Sequence, residues 1–277
     1  MTAPRVAVVG AGSLARALLA GWAAAGTGFG SVTTVNRTAA SAARTTEAVL
    51  PPGAVTTSLE SDPDALRAAV EDADIVVMAV KPHLVRDVLP DVAATIRPGT
   101  VVLSVAAGVR AVTFSEGLPA GVHVLRAMPN TPSAVGLGVI GLVPDARVPS
   151  ERYGVVKALL ADLGQVIEVD EDQLDGVVAV SGSGPAYVFL LVEKLRDAAV
   201  AQGFVPETAA TLARQVFRGA VELMEATGED PAELRRKVTS PNGTTARAVA
   251  VFEEGGLGAL FDDAVHACRA RARELAS

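Results

Sequence analysis

The first stretch of the sequence whose residue types could bind a ligand is rich in glycine and alanine. It follows directly on the β-branched segment Arg5 to Val9. It consists of Gly10, Ala11, Gly12, Ser13, Leu14 and Ala15. The first glycine permits a tight turn, the second lets a pyrophosphate approach the backbone, and the small Ala15 allows close packing of a helix on a strand. Because free N–H groups at a helix start attract phosphate, this position favours a dinucleotide site over an ordinary turn.

The residues at the end of the second predicted strand indicate whether the dinucleotide is NAD or NADP. Asn36, Arg37 and Thr38 stand about where an acidic residue binds the ribose 2′-hydroxyl in NAD enzymes. A carboxylate would repel the 2′-phosphate of NADP, whereas a guanidinium can donate two charge-assisted hydrogen bonds to it, with Asn36 and Thr38 as further donors. Arg37 could alternatively be a solvated charge at a helix start. We therefore expect NADPH (NADP+) as the cofactor and NADH as a weaker one.

Three later loops are predicted to lie at the same edge of the sheet, where ligands collect in open α/β folds. Each follows an apolar run. They are Ala79, Val80, Lys81 and Pro82; Ala106, Ala107 and Gly108; and the rigid turn from Met128 to Pro132, which presents Asn130. Taken singly, each stretch is typical of an ordinary loop. Together they predict further contacts to the cofactor.

The strands and helices that position these loops alternate along the chain up to about residue 170. Short β-branched runs are separated by Ala-rich segments of helical spacing, which predicts a parallel sheet wound on both faces. The predicted strands are Arg5 to Val9, Val32 to Asn36, Ile75 to Val80, Thr100 to Val105, His123 to Met128, Val139 to Val143 and Val166 to Val169. The predicted helices between them include Ser13 to Ala25, Pro63 to Val70 and Leu84 to Ile96.

After Asp170 only helical periods follow, such as Ala186 to Gln202 and Pro206 to Thr227. Segments such as Ala186 to Val200 and Thr208 to Val221 are apolar around much of their circumference, so a second copy of the chain should cover them. The predicted fold class is α/β. It has a doubly wound Rossmann-type domain over residues 1–170, followed by an all-helical dimerisation domain over residues 171–277.

Composition and charge exclude several classes of function. The chain has 277 residues, half of them apolar, with a formal net charge of −7 and a pI near 5.1, so no cationic excess favours nucleic acid. No apolar run approaching about 18 residues predicts a membrane span, and the first ten residues leave no room for a signal sequence.

Cys268 is the single cysteine, which fits a reducing cytoplasm. His83, His123 and His266 form no cluster, and no metal site is expected.

Two polar segments of the helical half are not required by its packing. In Ser181 to Tyr187, small residues precede Pro185, which suits the first turn of a helix. Thr239 to Thr245 stands immediately before an amphipathic run, so that free N–H groups and hydroxyls could form a nest for a carboxylate. A plain helix cap would explain Ser240 or Thr244 alone. It would not explain so many adjacent small polar residues.

At these motifs the sequence resembles the pyrroline-5-carboxylate reductases over essentially its whole length. The matching stretches, in the family's order and spacing, are the Gly10 loop, Ala79 to Pro82, Arg126 to Pro132, Ser181 to Tyr187 and Val238 to Thr245. The resemblance implies NADPH-dependent reduction of Δ1-pyrroline-5-carboxylate to L-proline, the last step of proline biosynthesis. It also implies a homodimer through interlocking helical domains, and a decamer of five dimers as the larger assembly.

The resemblance also assigns roles to residues. It places the substrate carboxylate and ring nitrogen at Ser240, Gly243, Thr244 and Thr245, with Glu171 and Lys237 nearby. Thr245 would be the catalytic residue, its hydroxyl hydrogen-bonding the ring nitrogen. Two positions depart from the family pattern. Asn242 replaces a usual glycine, although Asn tolerates a left-handed backbone, and Ala246 replaces a branched aliphatic residue.

Two other functions are compatible with the glycine loop alone. A hydroxyacid dehydrogenase of related two-domain plan would need a proton-donating lysine in its helical domain. A non-catalytic NADP-binding regulatory protein would need no nest for a substrate carboxylate. The segment from Ser240 to Thr245 argues against both.

Overall fold

The structure, a computed structural model, describes residues 3–276. These residues form two compact units. The first unit runs to Ser183 and resumes at Cys268, and the second is Gly184–Ala267. The division of function into domains 1–170 and 171–277 stays a prediction, and residues 1, 2 and 277 of those ranges lie outside the described residues.

The first unit is built on one eight-stranded sheet with the order β3-β2-β1-β4-β5-β6-β7-β8. Its strands are β1 (Arg5–Val9), β2 (Ser31–Asn36), β3 (Val55–Ser58), β4 (Ile75–Met78), β5 (Val101–Ser104), β6 (His123–Met128), β7 (Gly138–Val143) and β8 (Gly164–Glu168). Neighbouring strands are parallel except β6 and β7, which are antiparallel. The α/β class is confirmed, but the sequence predicted neither β3 nor the reversal at β7.

Helices cover both faces of this sheet. The helices of the first half are α1 (Ser13–Ala25), α2 (Ala39–Thr46), α3 (Ala65–Glu71), α4 (Val85–Ala93), α5 (Ala111–Gly117) and α6 (Ser150–Ala161). Successive side chains of a strand point to opposite faces, and β1 accordingly serves two cores. Val6 and Val8 pack in one core with residues of α1 and α6. Ala7 and Val9 pack in the other with residues of α3, α4 and α5. The predicted double winding is confirmed.

The chain after β8 is helical, as predicted. Its α-helices are α7 (Leu174–Val177), α8 (Gly184–Ala201), α9 (Pro206–Thr227), α10 (Pro231–Lys237), α11 (Thr244–Glu254) and α12 (Leu257–Ala276). A turn of 3-10 helix, Glu171–Gln173, precedes α7, and a turn of π-helix, Val178–Gly182, joins α7 to α8.

The second unit, all of whose residues are described, has almost no core of its own. Its buried residues are Ala209 and Ala213, both small. Large apolar side chains stay exposed, among them Phe189 at 67%, Val216 at 59%, Phe252 at 60% and Leu260 at 61%. Extended apolar surface of this kind marks a site of association.

One helical run, Glu171–Ala201, is long and apolar enough to cross a membrane by its length and composition alone. The prediction that no apolar run reaches that length is therefore wrong for this stretch. The run comprises the 3-10 turn Glu171–Gln173, α7, the π-helical turn and α8. Only 6% of its most apolar window is buried within the chain. A helix that packs its apolar side against another subunit has the same composition.

Candidate active site

A cleft of about 470 Å³ lies at the carboxyl ends of β1, β2 and β4. It is the place where ligands bind in open, mostly parallel sheets. Of the residues predicted to bind cofactor, those that line it are Gly10, Gly12, Asn36, Arg37, Ala79, Val80 and Lys81. The structure thus brings together residues from three separate loops.

The two glycines of the first loop have different roles in the backbone. Gly10 adopts a left-handed φ of +88°, and a Cβ there would lie 2.6 Å from Cγ1 and 2.8 Å from the backbone N of Val80. Its N–H donates to the carbonyl of Val35 at 2.9 Å. Gly12 precedes α1, and a Cβ there would meet no atom within 4 Å. Gly10 therefore permits close packing of the strands, whereas Gly12 leaves open space in front of the helix start.

The predicted 2′-phosphate contacts lie at the end of β2. Asn36 is only 3% exposed, yet its Nδ2 has no hydrogen-bond partner among the described residues. Buried polar groups of this kind are normally satisfied, so a ligand acceptor is expected there. Arg37 is exposed on the cleft. Thr38 lies just outside the lining, where its Oγ1 accepts the N–H of Ser41 at 3.2 Å and caps α2.

Glu60 is a residue of this region that sequence analysis missed. Its carboxylate accepts the N–H of Ala39 at 2.7 Å, at the start of α2. A negative charge there opposes a second anion at the same helix start. The signal in the sequence was an acidic residue two positions beyond β3, a strand that was itself not predicted.

The remaining predicted cofactor residues lie around the same edge without lining this cleft. Ala11, Ser13 and Leu14 belong to the glycine loop and first turn of α1, and Pro82 starts the 3-10 turn Pro82–Leu84. Ala106 and Ala107 follow β5 in the segment that ends at Gly108, whose φ is +78°. Gly108 lines a different cavity, together with Arg110, Arg126 and Glu171. Their contacts to a cofactor stay predictions.

Asn130 is 6% exposed, and both ends of its amide are bonded within the protein. Its Oδ1 accepts the N–H of Val139 and its Nδ2 donates to the carbonyl of Ser181, each at 2.9 Å. These contacts hold three segments of the first unit together. A direct contact between Asn130 and the cofactor stays a prediction.

Glu171 is bonded by three groups of the first unit. Its Oε1 accepts from the N–H of Ala111 at 2.7 Å and from the buried guanidinium of Arg126 at 2.9 Å, and its Oε2 lies 3.6 Å from Arg110. Burial opposes ionisation of this carboxyl group, but these donors outweigh it and hold its pKa below the usual value. The arrangement ties Glu171 to β6 and to the start of α5, and its proximity to substrate stays a prediction.

The other predicted substrate residues lie in the second unit, around the start of α11. Gly243 immediately precedes the helix, and Thr244 and Thr245 are its first residues. Among the described residues, no side chain caps the N–H groups at this helix start. The N–H of Gly243 donates to the carbonyl of Ser240 at 3.0 Å, which closes the loop. Ser240, Thr244 and Thr245 are exposed. The loop therefore offers backbone donors and three hydroxyls to an anion.

Asn242 makes this loop possible without a second glycine. It is the non-glycine residue of the described chain with a positive φ, at 60°, in the left-handed region that Asn tolerates best. Asn242 thus adopts the left-handed backbone that it was expected to tolerate. Lys237 ends α10 and pairs with Glu229, so its ammonium already has a counter-ion.

Family models and curated relatives match most of this chain. The model of pyrroline-5-carboxylate reductase dimerisation matches residues 171–275, and that of NADP oxidoreductase, coenzyme F420-dependent, matches residues 5–108. The pyrroline-5-carboxylate reductase of Pseudomonas aeruginosa is 36% identical over all of this chain and 98% of its own length. That of Corynebacterium melassecola is 41% identical over 75% of this chain and 78% of its own. The chain belongs to the pyrroline-5-carboxylate reductase family.

Solved structures support the same assignment. A pyrroline-5-carboxylate reductase from Coxiella burnetii is 34% identical, with a TM-score of 0.82 and complete coverage of both chains. A pyrroline carboxylate reductase from Plasmodium falciparum, solved with NADP bound, shares the fold at 24% identity and a TM-score of 0.84 over 99% of this chain and 98% of its own. The resemblance seen in the motifs is thus confirmed, and the chain is an oxidoreductase of this family.

Arg37 gives a direct test of the cofactor site. We expect Arg37→Asp to reverse a preference for NADPH over NADH, because a charge-assisted phosphate contact of about 1.5 to 3 kcal/mol becomes a repulsion. The measurement is the ratio of kcat/KM for the two cofactors. Arg44→Asp, the same charge change at an exposed position of α2 outside the cleft lining, should leave the ratio near that of the wild type. An unchanged ratio in Arg37→Asp would exclude the assigned role.

Proposed function

We propose that this chain reduces Δ1-pyrroline-5-carboxylate to L-proline with NADPH, the last step of proline biosynthesis. Family membership over the full length supports the reaction. The observation that carries the site is the loop Ser240 to Thr245, where an uncapped helix start is surrounded by hydroxyl groups. Neither a hydroxyacid dehydrogenase nor a non-catalytic regulatory protein is favoured by the comparisons.

The substrate carboxylate is assigned to the start of α11. The N–H of Thr244 supplies a donor at the positive end of the helix, where an anion is stabilised, and Gly243, whose own N–H is bonded to Ser240, leaves the approach to it unobstructed. The hydroxyl of Ser240 adds a second donor. This charge stays on the substrate throughout the reaction, so these groups bind and orient the ring without changing the chemistry of the C=N bond.

Thr245 is assigned to the ring nitrogen. When the nitrogen arrives protonated, the neighbouring carbon is already electrophilic, so the protein needs little acid–base chemistry of its own. The Thr245 hydroxyl orients the nitrogen and stabilises the amine as positive charge leaves it. When bound, NADPH supplies the hydride that reduces this carbon.

The cleft at the ends of β1, β2 and β4 fits a dinucleotide phosphate. The open space beside Gly12 leaves room for a pyrophosphate at the start of α1, and the unpartnered Nδ2 of Asn36 needs an acceptor. Arg37 supplies the positive charge expected of a 2′-phosphate site. Glu60 lies at the start of α2, where its carboxylate would repel a 2′-phosphate. We assign NADPH as the preferred cofactor and NADH as the weaker one.

The second unit is proposed to form a homodimer. Large apolar side chains of α8 and α9 stay exposed in the single chain, and a second copy would remove them from water. A decamer of five dimers is the larger assembly that family resemblance suggests. We assign the enzyme to the cytoplasm, with neither nucleic acid nor membrane as a partner.

Two matched substitutions test the dimer. Val216 on α9 and Val49 in the first unit are exposed by 59% and 65% in the single chain. Val216→Asp should raise the dimer dissociation constant by about tenfold or more, because a charge would be buried in the interface, whereas Val49→Asp should not. Sedimentation over a dilution series measures both. A wild-type chain that sediments as a fully active monomer when dilute would contradict the assembly.

Two further substitutions test the substrate loop. Thr245→Ala should lower turnover through a loss of about 1 to 3 kcal/mol of transition-state binding. Ser240→Ala should instead raise KM for the imine acid and leave kcat nearly intact, since ground and transition states lose similar contacts. The assay is proline formation at saturating NADPH, with NADPH affinity measured separately as a control for the fold. Wild-type values of both constants in Thr245→Ala would place the substrate elsewhere.

A further inference from the structure

Two motifs that the sequence singled out separately are bonded to each other. The turn Met128 to Pro132 follows β6, and the segment beginning at Ser181 leads into α8. Asn130 joins them, since its Nδ2 donates to the carbonyl of Ser181 and its Oδ1 accepts the N–H of Val139 at the start of β7. With the side chain 6% exposed, this amide is a buried connection inside the first unit.

The partner segment has an unusual backbone. Ser181 lies within the π-helical turn Val178–Gly182, in which the N–H of Ser183 reaches the carbonyl of Val178 at 2.9 Å. π-helical turns are rare and frequently stand at functional sites. A Cβ at Gly182 would lie 3.0 Å from Cε of Met128, so the small residue lets the turn after β6 pack against this helix. The glycine at position 182 and the hydrogen bond from Asn130 to Ser181 thus lie at the same contact between the two segments.

This contact lies at the edge of the sheet that binds ligands. β6 neighbours β5, which neighbours β4, so the turn after β6 stands beyond the loops that follow β4 and β5. In folds of this type, ligands occupy the crevice outside these carboxyl ends. The amide of Asn130 has its acceptor oxygen and one N–H committed to backbone groups, and is thus poorly placed to contact a cofactor as well.

We propose that Asn130 is a positioning residue for imine reduction. Its hydrogen bond to the Ser181 carbonyl holds the turn Met128 to Pro132 against the π-helical segment, and this contact keeps one wall of the crevice in place. The role rests on the proposed function, because the reaction it serves is the reduction of pyrroline-5-carboxylate. The structural claim, that the donor on Asn130 is needed by Ser181, stands apart from the substrate.

Asn130→Asp separates the two contacts of the amide. The carboxylate keeps an acceptor for the N–H of Val139 but turns a second oxygen toward the carbonyl of Ser181. The protonated acid has one O–H donor for the carbonyl of Ser181 and an acceptor oxygen for the N–H of Val139, so it can make both contacts of the amide. Because burial and the facing carbonyl disfavour the charged form, the pKa of this group should lie well above its usual value of about 3.9. Lowering the pH should therefore restore the contact.

The first readout is turnover as a function of pH. Relative to wild type, kcat of Asn130→Asp should fall by about tenfold or more near pH 8, the effect of losing the donor to the partly buried carbonyl of Ser181. The ratio should recover toward wild type near about pH 5.5 as the acid protonates. The control is Gln165→Glu, the same amide-to-acid change at an exposed position of β8, and its ratio to wild type should not change over this range.

The second readout needs no substrate. The carboxyl group has a higher pKa in the folded than in the unfolded variant, so its ionisation costs stability as pH rises from the unfolded pKa through the folded one. The melting temperature of Asn130→Asp should therefore approach that of wild type on acidification. A wild-type enzyme that forms no proline would defeat the proposed function, yet this melting comparison would still decide whether the carbonyl of Ser181 needs the donor on Asn130.

Asn130→Ala tests the competing possibility of direct cofactor contact and decides the question if the Asp variant does not fold. A positioning role predicts a kcat lowered by about tenfold or more, with the dissociation constant for NADPH within about threefold of wild type. Weaker NADPH binding with wild-type kcat at saturation would show direct contact and overturn the proposal. A pH-independent activity ratio and melting difference in a folded Asn130→Asp variant would overturn it too.

Discussion

The close approach of the chain after β1 to the chain after β4, at Gly10, is the constraint on which the proposed cofactor cleft depends. Gly10 adopts a left-handed φ, and any Cβ would overlap the side chain and backbone of Val80. Its N–H is bonded to Val35 at the end of β2. Three loops are thereby held at one edge of the sheet, and the space in front of α1 stays open. A larger residue at Gly10 would separate the strands and disperse the residues that line the cleft.

The two units differ in how fully they bury their apolar side chains and bond their polar groups. In the first unit, both faces of the sheet are covered by helices and the cores are closed. This unit leaves only single buried polar atoms without a hydrogen-bond partner among the described residues, such as Nδ2 of Asn36. In the second unit the apolar faces of whole helices are exposed and the start of α11 is uncapped. In the proposed function, the cofactor would satisfy the polar group left in the first unit, and the substrate and a second copy of the chain would cover the exposed groups of the second.

Local signals in the sequence predicted much of this arrangement. The observed bounds of α1 and α9 coincide with the predicted ones, because a glycine loop or a proline marks the start of each helix and a glycine its end. β3 was missed because its sequence, Val-Thr-Thr-Ser, is short and its Val55 is 58% exposed. An edge strand of this kind has no continuous apolar run to reveal it.

The sequence could not predict the hydrogen-bond partners of individual side chains. Asn130 sits between two prolines in what reads as a ligand loop, yet its amide is bonded to Ser181, 51 positions away. Glu171 could be placed near substrate only by resemblance, and its carboxylate is held by Ala111 and Arg126. Spacing along the chain identifies which loops share an edge, but not which of their polar groups are already bonded there.

The most direct test of the cofactor site is NADPH binding by Gly12→Ala. A Cβ at Gly12 would meet no atom of the described residues within 4 Å, and the same holds for Gly154 on α6, where the identical substitution serves as control. If the pyrophosphate occupies the space beside Gly12, Gly12→Ala should weaken NADPH binding by about tenfold or more with a melting temperature near that of wild type. Gly154→Ala should bind NADPH as wild type does. An unchanged dissociation constant for NADPH in Gly12→Ala would contradict the account.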